Sequence, residues 1–395
     1  DHAVLHDDGR YTYGGDHGEW EHDGNFCVDG LFYPDRAPST GAYIMRFIYR
    51  PFRVTHCGGD RFELFNTTAF SRGRYTLQFL WNDGSCTELT PGTAPLSKET
   101  VTLPMGSAVD GTLLLTVKTI DTKTGRCVAE EQPIVTLAVP AAPAVKALPV
   151  GAGVQDGRFA LQRDGKLLLT ADTEGTLLYR ASTDNDTDVF FRRPLTPWQD
   201  QRTEVVSCKG IANGYEVLTR LTNGKGRYTV TDTYQGTDKG VLVTSVLHRE
   251  RGSRTVPRFG KVFRLDEIFD TVTYFARSGE SYCDMKDQFC VQQVTCPVSA
   301  MTEPNIRPQE SGNRMDCTTA TLTDGQLKVT FEAVGKPFEL AVKPYTDRAL
   351  TGMKHREDEV RTGTYVTVQA FQQGIGTGSC GPAIMPEFRY ELKQD

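Results

Sequence analysis

The sequence predicts an all-β chain built as two successive sandwiches, the first immunoglobulin-like and the second larger. Three observations carry that reading. Short runs alternate apolar and polar residues, turn signals such as Asn82-Asp83-Gly84 and Asp110-Gly111 separate those runs, and one proline-marked stretch interrupts them. At 395 residues the chain is long enough for two or three domains, each with its own core.

In chain order the first distinctive segment is Tyr13–Arg36, YGGDHGEWEHDGNFCVDGLFYPDR. It has neither the period of an amphipathic helix nor that of a half-buried strand, so it reads as an ordered loop. Loops rich in Gly, Asp, His and Trp on a rigid scaffold carry binding groups, which makes this the first site candidate. From about Phe47 to Val139 come RFELFNTTAF, YTLQFLW and TLLLTVKTI, the strand-turn pattern of an immunoglobulin-like sandwich. VPAAPAVKALPVGAG, Val139–Gly153, then reads as an interdomain linker. Beyond it, RFALQRDGKLLLT carries an Asp164-Gly165 hairpin turn, RYTVTDTYQG precedes GVLVTSVLHRE, and DGQLKVTFEA sets Leu327, Val329 and Phe331 on one face. Residues 154–395 are too many for one ordinary sandwich and predict a large two-sheet domain or supersandwich.

Composition narrows the function. The 44 basic and 50 acidic residues are interspersed, giving a net charge of −6. No run of Lys and Arg marks a nucleic-acid or membrane surface. No apolar stretch reaches the roughly 18 residues of a membrane span, and the opening lacks the order of a signal peptide, so a soluble, cytoplasmic protein is expected. The first residue is Asp rather than Met, so a preceding segment is expected too. The 10 cysteines are scattered singly without a C-x-x-C pair, which predicts reduced and mostly buried thiols. Cys283, Cys290 and Cys296 match no usual zinc set.

Four further segments are polar, marked by Gly or Pro, and unlike strands: YRASTDNDTDVFFRRPLTPW, ARSGESYCDMKD, TEPNIRPQESGNRMD and GIGTGSCGP. Composition alone makes each a satisfied surface loop, because Asp, Asn, Ser and Gly are what turns use. GIGTG lacks the strand-loop-helix context of a dinucleotide site. The sequons at Asn66 and Asn185 carry no weight in an unexported chain.

Taken together, the segments resemble one family in order and spacing, the long β-galactosidases of glycoside hydrolase family two. YGGD and NFCVDGLFYPDR resemble the end of that family's catalytic TIM barrel, and DNDTD the acidic signature opening its large C-terminal β-domain. GESYCDMKD is similar to its G-x-x-E-x-Y-x-D stretch, PQESGNRMD to its mobile P-x-E-x-G-x-R loop, and QQGIGTGSCGP to its closing G-[IV]-G loop. The resemblance implies a barrel tail at 1–46, an immunoglobulin-like sandwich at 47–139, a linker at 140–153 and a large β-sandwich domain at 154–395.

It also implies roles. By matching position, the Phe26 carbonyl and the Asp29 side chain would hold a sodium ion, with a further carboxylate supplied from upstream. Magnesium is implied for the parent enzyme, with ligands outside this chain. Glu310 and Arg314 would sit on a mobile loop at the rim of the sugar pocket. Cys380 would stand where many members place a sugar-stacking Trp, with Trp20 as a substitute aromatic. Both catalytic glutamates would lie upstream of Asp1, so no catalytic residue is expected here. Asp184 with Asp186, or Glu280 with Glu310, are candidates to replace them, but loop capping and salt bridges are the preferred readings of those acids. The implied partners are a β-galactoside, the N-terminal barrel part of the same polypeptide and further copies of the parent, with no nucleic acid and no membrane. A freestanding sugar-binding or assembly module is the alternative, and a naturally split subunit a third reading.

Overall fold

The computed structural model describes residues 3–186, 196–224, 226–376 and 384–392. Its architecture is all-β, and the chain divides into two compact units. One comprises Asp1–Val139 with Phe275–Ser281 and Met285–Gln293; the other comprises Pro140–Tyr274, Tyr282–Asp284 and Val294–Asp395.

In the first unit, strands Phe52–His56, Arg61–Asn66 and Lys98–Thr102 form a three-stranded antiparallel sheet. Cys86–Leu89, Tyr75–Trp81, Leu113–Asp121 and Cys127–Thr136, in that spatial order, form a four-stranded one. Alternation fixes the inward faces. Phe62 and Leu64 from one sheet and Leu77, Phe79, Trp81, Leu115 and Val117 from the other share a single buried cluster, the core of an immunoglobulin-like sandwich. Asp83 accepts hydrogen bonds from the main chain of Ser85 and Ser107, which locks the turn after Trp81.

A helix, Thr40–Ile48, precedes this sandwich. Its Arg46 sits in the last turn, where a cation suits the helix dipole, and donates to the carbonyls of Val128 and Cys127 at 2.9 and 3.1 Å. Pro51 follows within three residues and disfavours helix at Arg50. Arg50 then turns inward to Glu131, Nε to Oε2 at 3.0 Å.

The second unit is larger. A seven-stranded sheet runs Ala152–Gln155, Arg158–Arg163, Lys166–Leu177, Arg258–Leu265, Thr364–Gln372, Phe338–Lys343, Arg314–Cys317. Asp164 and Gly165 both take positive φ, 52° and 78°, the mirror-image turn that matches strand twist in a two-residue hairpin. A four-stranded antiparallel meander follows from Arg202–Ile211 through Gly214–Asn223 and Gly226–Gly236 to Val241–Arg251. Strand Gly226–Gly236 alternates strictly between buried and half-buried, burying Tyr228, Val230, Asp232 and Tyr234. Thr319–Thr323 pairs antiparallel with Lys328–Glu332. The proline-marked segment 140–153 runs along this unit: Gly335 donates to the Pro140 carbonyl, Lys146 donates to that of Gly236, and Ala152–Gln155 pairs with Arg158–Arg163.

Candidate functional site

Three segments that the sequence singled out converge where strand Thr364–Gln372 ends. Past Gln372 the ladder ends with the Gln373 N–H on the Pro257 carbonyl at 2.8 Å, so the polar groups beyond need other partners. Arg180, fully buried, donates from Nη1 to the Gln373 carbonyl at 2.7 Å and from Nη2 to the Gly374 carbonyl at 3.0 Å. Its Nη2 also lies 3.1 Å from both carboxylate oxygens of Asp186. Burial works against the Arg180 charge, but Asp186 more than offsets it and holds the guanidinium protonated more firmly than usual. Asp186 in turn accepts from the Thr183 main chain at 3.0 Å. Asn185 donates from Nδ2 to the Ile375 carbonyl at 3.1 Å. Asp284 accepts from the N–H groups of Ile375 and Gly376 at 3.3 and 2.9 Å. A Cβ on Gly374 would lie 2.4 Å from Asp284 Cγ, so only glycine admits the carboxylate there.

A second network lies deeper. Lys343 Nζ donates to Glu310 Oε2 at 2.9 Å and to Asp347 Oδ1 at 2.7 Å, and Asp347 also accepts from Arg258 Nη2. Gln372 Nε2 donates to Glu310 Oε1 at 3.2 Å. All five side chains are buried. Burial alone would raise the Asp347 carboxyl, but Arg258 and Lys343 together hold it well below the carboxylate range. Burial likewise opposes the Lys343 charge, and Asp347 with Glu310 overcomes it, raising the ammonium above its ordinary value. Asn313 donates to Glu339 at 2.7 Å and accepts from Gln369 at 2.9 Å. Arg314 Nη2 donates to the Met301 carbonyl at 3.1 Å, and its guanidinium lies 5.9 Å from the centre of the Tyr274 ring. The cavity beside Lys343, Asp347, Tyr345 and Thr367 measures about 10 Å³, room for one water and far below a sugar. This network is a scaffold rather than a pocket.

Glu310 and Arg314, expected on a mobile loop at the rim of the sugar pocket, are buried side chains in this chain, 2 % and 5 % exposed. Asp186 and Glu310 are occupied by cations, and Asp184 accepts from Arg307 and Gln309. Trp20 is 90 % exposed and Phe26 61 %. Phe26 lies on the 3-10 turn Gly24–Val28, and exposed Asp29 caps it. A carbonyl and a carboxylate on one exposed turn fit two places in the oxygen shell of a hard cation such as sodium. Among the described residues, no three His, Cys, Asp or Glu side chains gather as metal ligands. Cys380 lies outside the described residues. The expectation of mostly buried thiols is corrected: of the nine described cysteines, all free, Cys290 and Cys317 are buried while Cys57, Cys86 and Cys208 are exposed. The exposed three sit at strand ends and on an edge strand, where alternation encloses no face.

Comparison with known proteins decides the family. Residues 154–395 match the family described as beta galactosidase small chain. The chain belongs to that family. Residues 2–54 match the TIM barrel domain of glycosyl hydrolases family 2, so this β-galactosidase small-chain member carries barrel-type sequence ahead of its sandwiches. It is 25 % identical to a β-galactosidase of Staphylococcus xylosus over 98 % of this chain and 44 % of that protein. Against the β-galactosidases of Actinobacillus pleuropneumoniae and Lactobacillus delbrueckii subsp. bulgaricus, identity is 25 % and 27 %, covering 98 % and 97 % of the chain and 42 % of each relative. The chain thus spans less than half the length of these relatives and corresponds to their C-terminal portion. Arg180, Asn185 and Asp284 were not singled out by sequence as a set. Their segments were, but contacts between residues some hundred or more positions apart leave no local pattern.

Proposed function

We propose that the chain is the C-terminal part of a retaining β-galactosidase that hydrolyses terminal β-D-galactosides such as lactose, supporting the rim of the active site and assembly. The observation that carries this is the order of the two family matches, barrel end then small chain, along one sequence. Retention needs two carboxyl groups about 5–5.5 Å apart. We assign both to the barrel upstream, because Asp186 and Glu310 are neutralised by Arg180 and Lys343. Within this reading Cys380 and Trp20 belong to the sugar side of the rim. Glu310 and Arg314 support it from behind, in keeping with their burial. Phe26 and Asp29 would hold sodium, and the magnesium ligands would lie outside this chain. The barrel part of the same polypeptide and further copies of the whole are the partners, in the cytoplasm. No described helix is long and apolar enough to cross a membrane.

The test compares the chain alone with a polypeptide continuous with its barrel, on a chromogenic β-galactoside. Turnover is expected only from the longer form. Turnover by the chain alone that disappears in Glu310→Gln or Asp186→Asn would overturn the assignment of the catalytic pair. Retention of the chain on immobilised galactose, with no turnover from the longer form, would favour the freestanding module.

A further inference from the structure

We propose that Phe70 and Leu96 form an apolar knob on which the upstream part of the same polypeptide docks. Phe70 is 96 % exposed and Leu96 64 %, two large apolar side chains in water. Each stands on a loop of the immunoglobulin-like sandwich, and the loops are joined: the Leu96 N–H donates to the Thr68 carbonyl at 3.1 Å and the Asn66 N–H to that of Ser97 at 3.0 Å. Asn66 locks the pair. Its buried amide donates from Nδ2 to the carbonyls of Ser71 and Thr93 at 2.9 and 3.0 Å, and accepts at Oδ1 from the Thr68 N–H and hydroxyl at 3.0 and 2.7 Å. Both donors and both lone pairs are used, so the Asn66 sequon serves the loop from inside. Arg72 Nε adds a bond to the Gly92 carbonyl at 2.8 Å. A tip that merely connected two strands would carry small polar residues and need no such bracing.

Backbone strain points the same way. The Ser97 N–H closes a turn on the Ala94 carbonyl at 3.2 Å, with Pro95 second and Leu96 third at φ +52°. A third position with positive φ takes Gly or Asn, because a larger side chain crowds the backbone there. Leu96 bears that crowding and still leaves its side chain in water, so folding gains little from leucine; strain of this sort accompanies binding sites. The knob also lies where the barrel-type sequence enters the sandwich. Thr67 donates from its N–H to the Pro51 carbonyl at 2.9 Å and from its hydroxyl to the Arg50 carbonyl at 2.7 Å, and the barrel match ends at residue 54. Size selects the occupant. One Phe and one Leu offer on the order of 250 Å², whereas two separate chains need about 1,200 Å² to associate stably. A covalently linked segment has already lost most of its translational freedom, so a small patch suffices. The choice of occupant rests on the proposed function, which places the barrel upstream in the same polypeptide.

Hydrogen exchange tests it. In the polypeptide continuous with its barrel, peptides covering 67–72 and 94–97 should exchange at least about tenfold more slowly than in the chain alone, at every protein concentration. Phe70→Ser in the longer form should restore the faster rate. Unchanged exchange in the longer form would overturn the docking, and turnover of a chromogenic β-galactoside by that form would leave the proposed function standing. Slowing that grows with protein concentration and accompanies a dimer would overturn it too, in favour of a second copy as occupant. Melting temperatures give an independent reading. Phe70→Ser and Leu96→Gly should not lower that of the chain alone, yet each should lower that of the longer form by several degrees. An equal shift in both forms would overturn the knob as a contact. A longer form that folds without turnover would overturn the proposed activity, while its exchange at 67–72 would still decide the docking.

Discussion

Gln372 donates from Nε2 to Glu310 Oε1 across 3.2 Å, with both side chains buried, and so ties the last residue of strand Thr364–Gln372 to the loop that begins at Pro308. Glu310 answers on its other oxygen to Lys343, which answers to Asp347, which answers to Arg258. Two cations and two anions thus neutralise one another inside the large unit. Isolated, any of the four would be strongly disfavoured there.

Removing one partner should therefore be costly. Glu310→Ala leaves Lys343 with a single carboxylate and Gln372 without an acceptor, and should destabilise the chain by about 3–5 kcal/mol. Urea unfolding would measure it. A loss below about 0.5 kcal/mol would mean that Glu310 behaves as a solvent-exposed ion-pair partner and not as a member of a buried network.

The strands were legible because alternation and turn dipeptides are local. YTLQFLW is strand Tyr75–Trp81, and Asp164-Gly165 closes the hairpin between Arg158–Arg163 and Lys166–Leu177. In DGQLKVTFEA, Val329 is buried and Phe331 packs 5.5 Å from Phe263 while Lys328, Thr330 and Glu332 face outward, the alternation expected. The interior charges were not legible. Glu310 and Arg314 lie in a segment of Gly, Pro, Ser and Asn that reads as surface, and their partners Lys343, Gln372 and Tyr274 are distant in sequence. A polar loop can be buried when its charges are answered, and composition does not reveal the answering residues. Thiol burial failed for a similar reason: Cys208 lies on Arg202–Ile211, an edge strand exposed along nearly its whole length.

The sandwich core gives a simpler expectation. Phe62 is fully buried, its ring 5.9 Å from that of Phe79. Phe62→Ala should cost about 3–5 kcal/mol, lost transfer energy plus a cavity between two sheets that cannot close up. A loss below about 1 kcal/mol in denaturant unfolding would show that the two sheets do not enclose the ring.

Glu131 makes stability pH-dependent. Burial pushes its carboxyl from 4.5 up to about 7, although Arg50 and the Val54 N–H pull it down. The folded pKa exceeds the unfolded one, so the folded state binds more protons between the two. The contribution is complete below about pH 4.5 and is lost as pH rises through 7, amounting to about 3 kcal/mol. Asp347 has the opposite sign, its contribution being lost only in strong acid. Unfolding free energies of wild type and Glu131→Gln at pH 5, 6, 7 and 8 should show a difference that drifts against wild type as pH rises. A difference constant across that range would reject the assignment.

The sodium reading reduces to one oxygen. Asp29 caps the turn that carries Phe26 and presents its carboxylate at the surface, so a cation there would gain both a ligand and a compensating charge. Asp29→Asn keeps an oxygen and drops the charge, whereas Asp29→Ala drops both. In the longer polypeptide, the sodium concentration for half-maximal turnover should therefore rise in order from wild type to Asn to Ala. The last step should be roughly tenfold, equivalent to about 1.4 kcal/mol of binding. The melting temperature serves as the control, since a turn this exposed contributes little to folding. If all three forms respond to sodium alike, Asp29 is not a ligand, and the ion, if one is required, is held elsewhere.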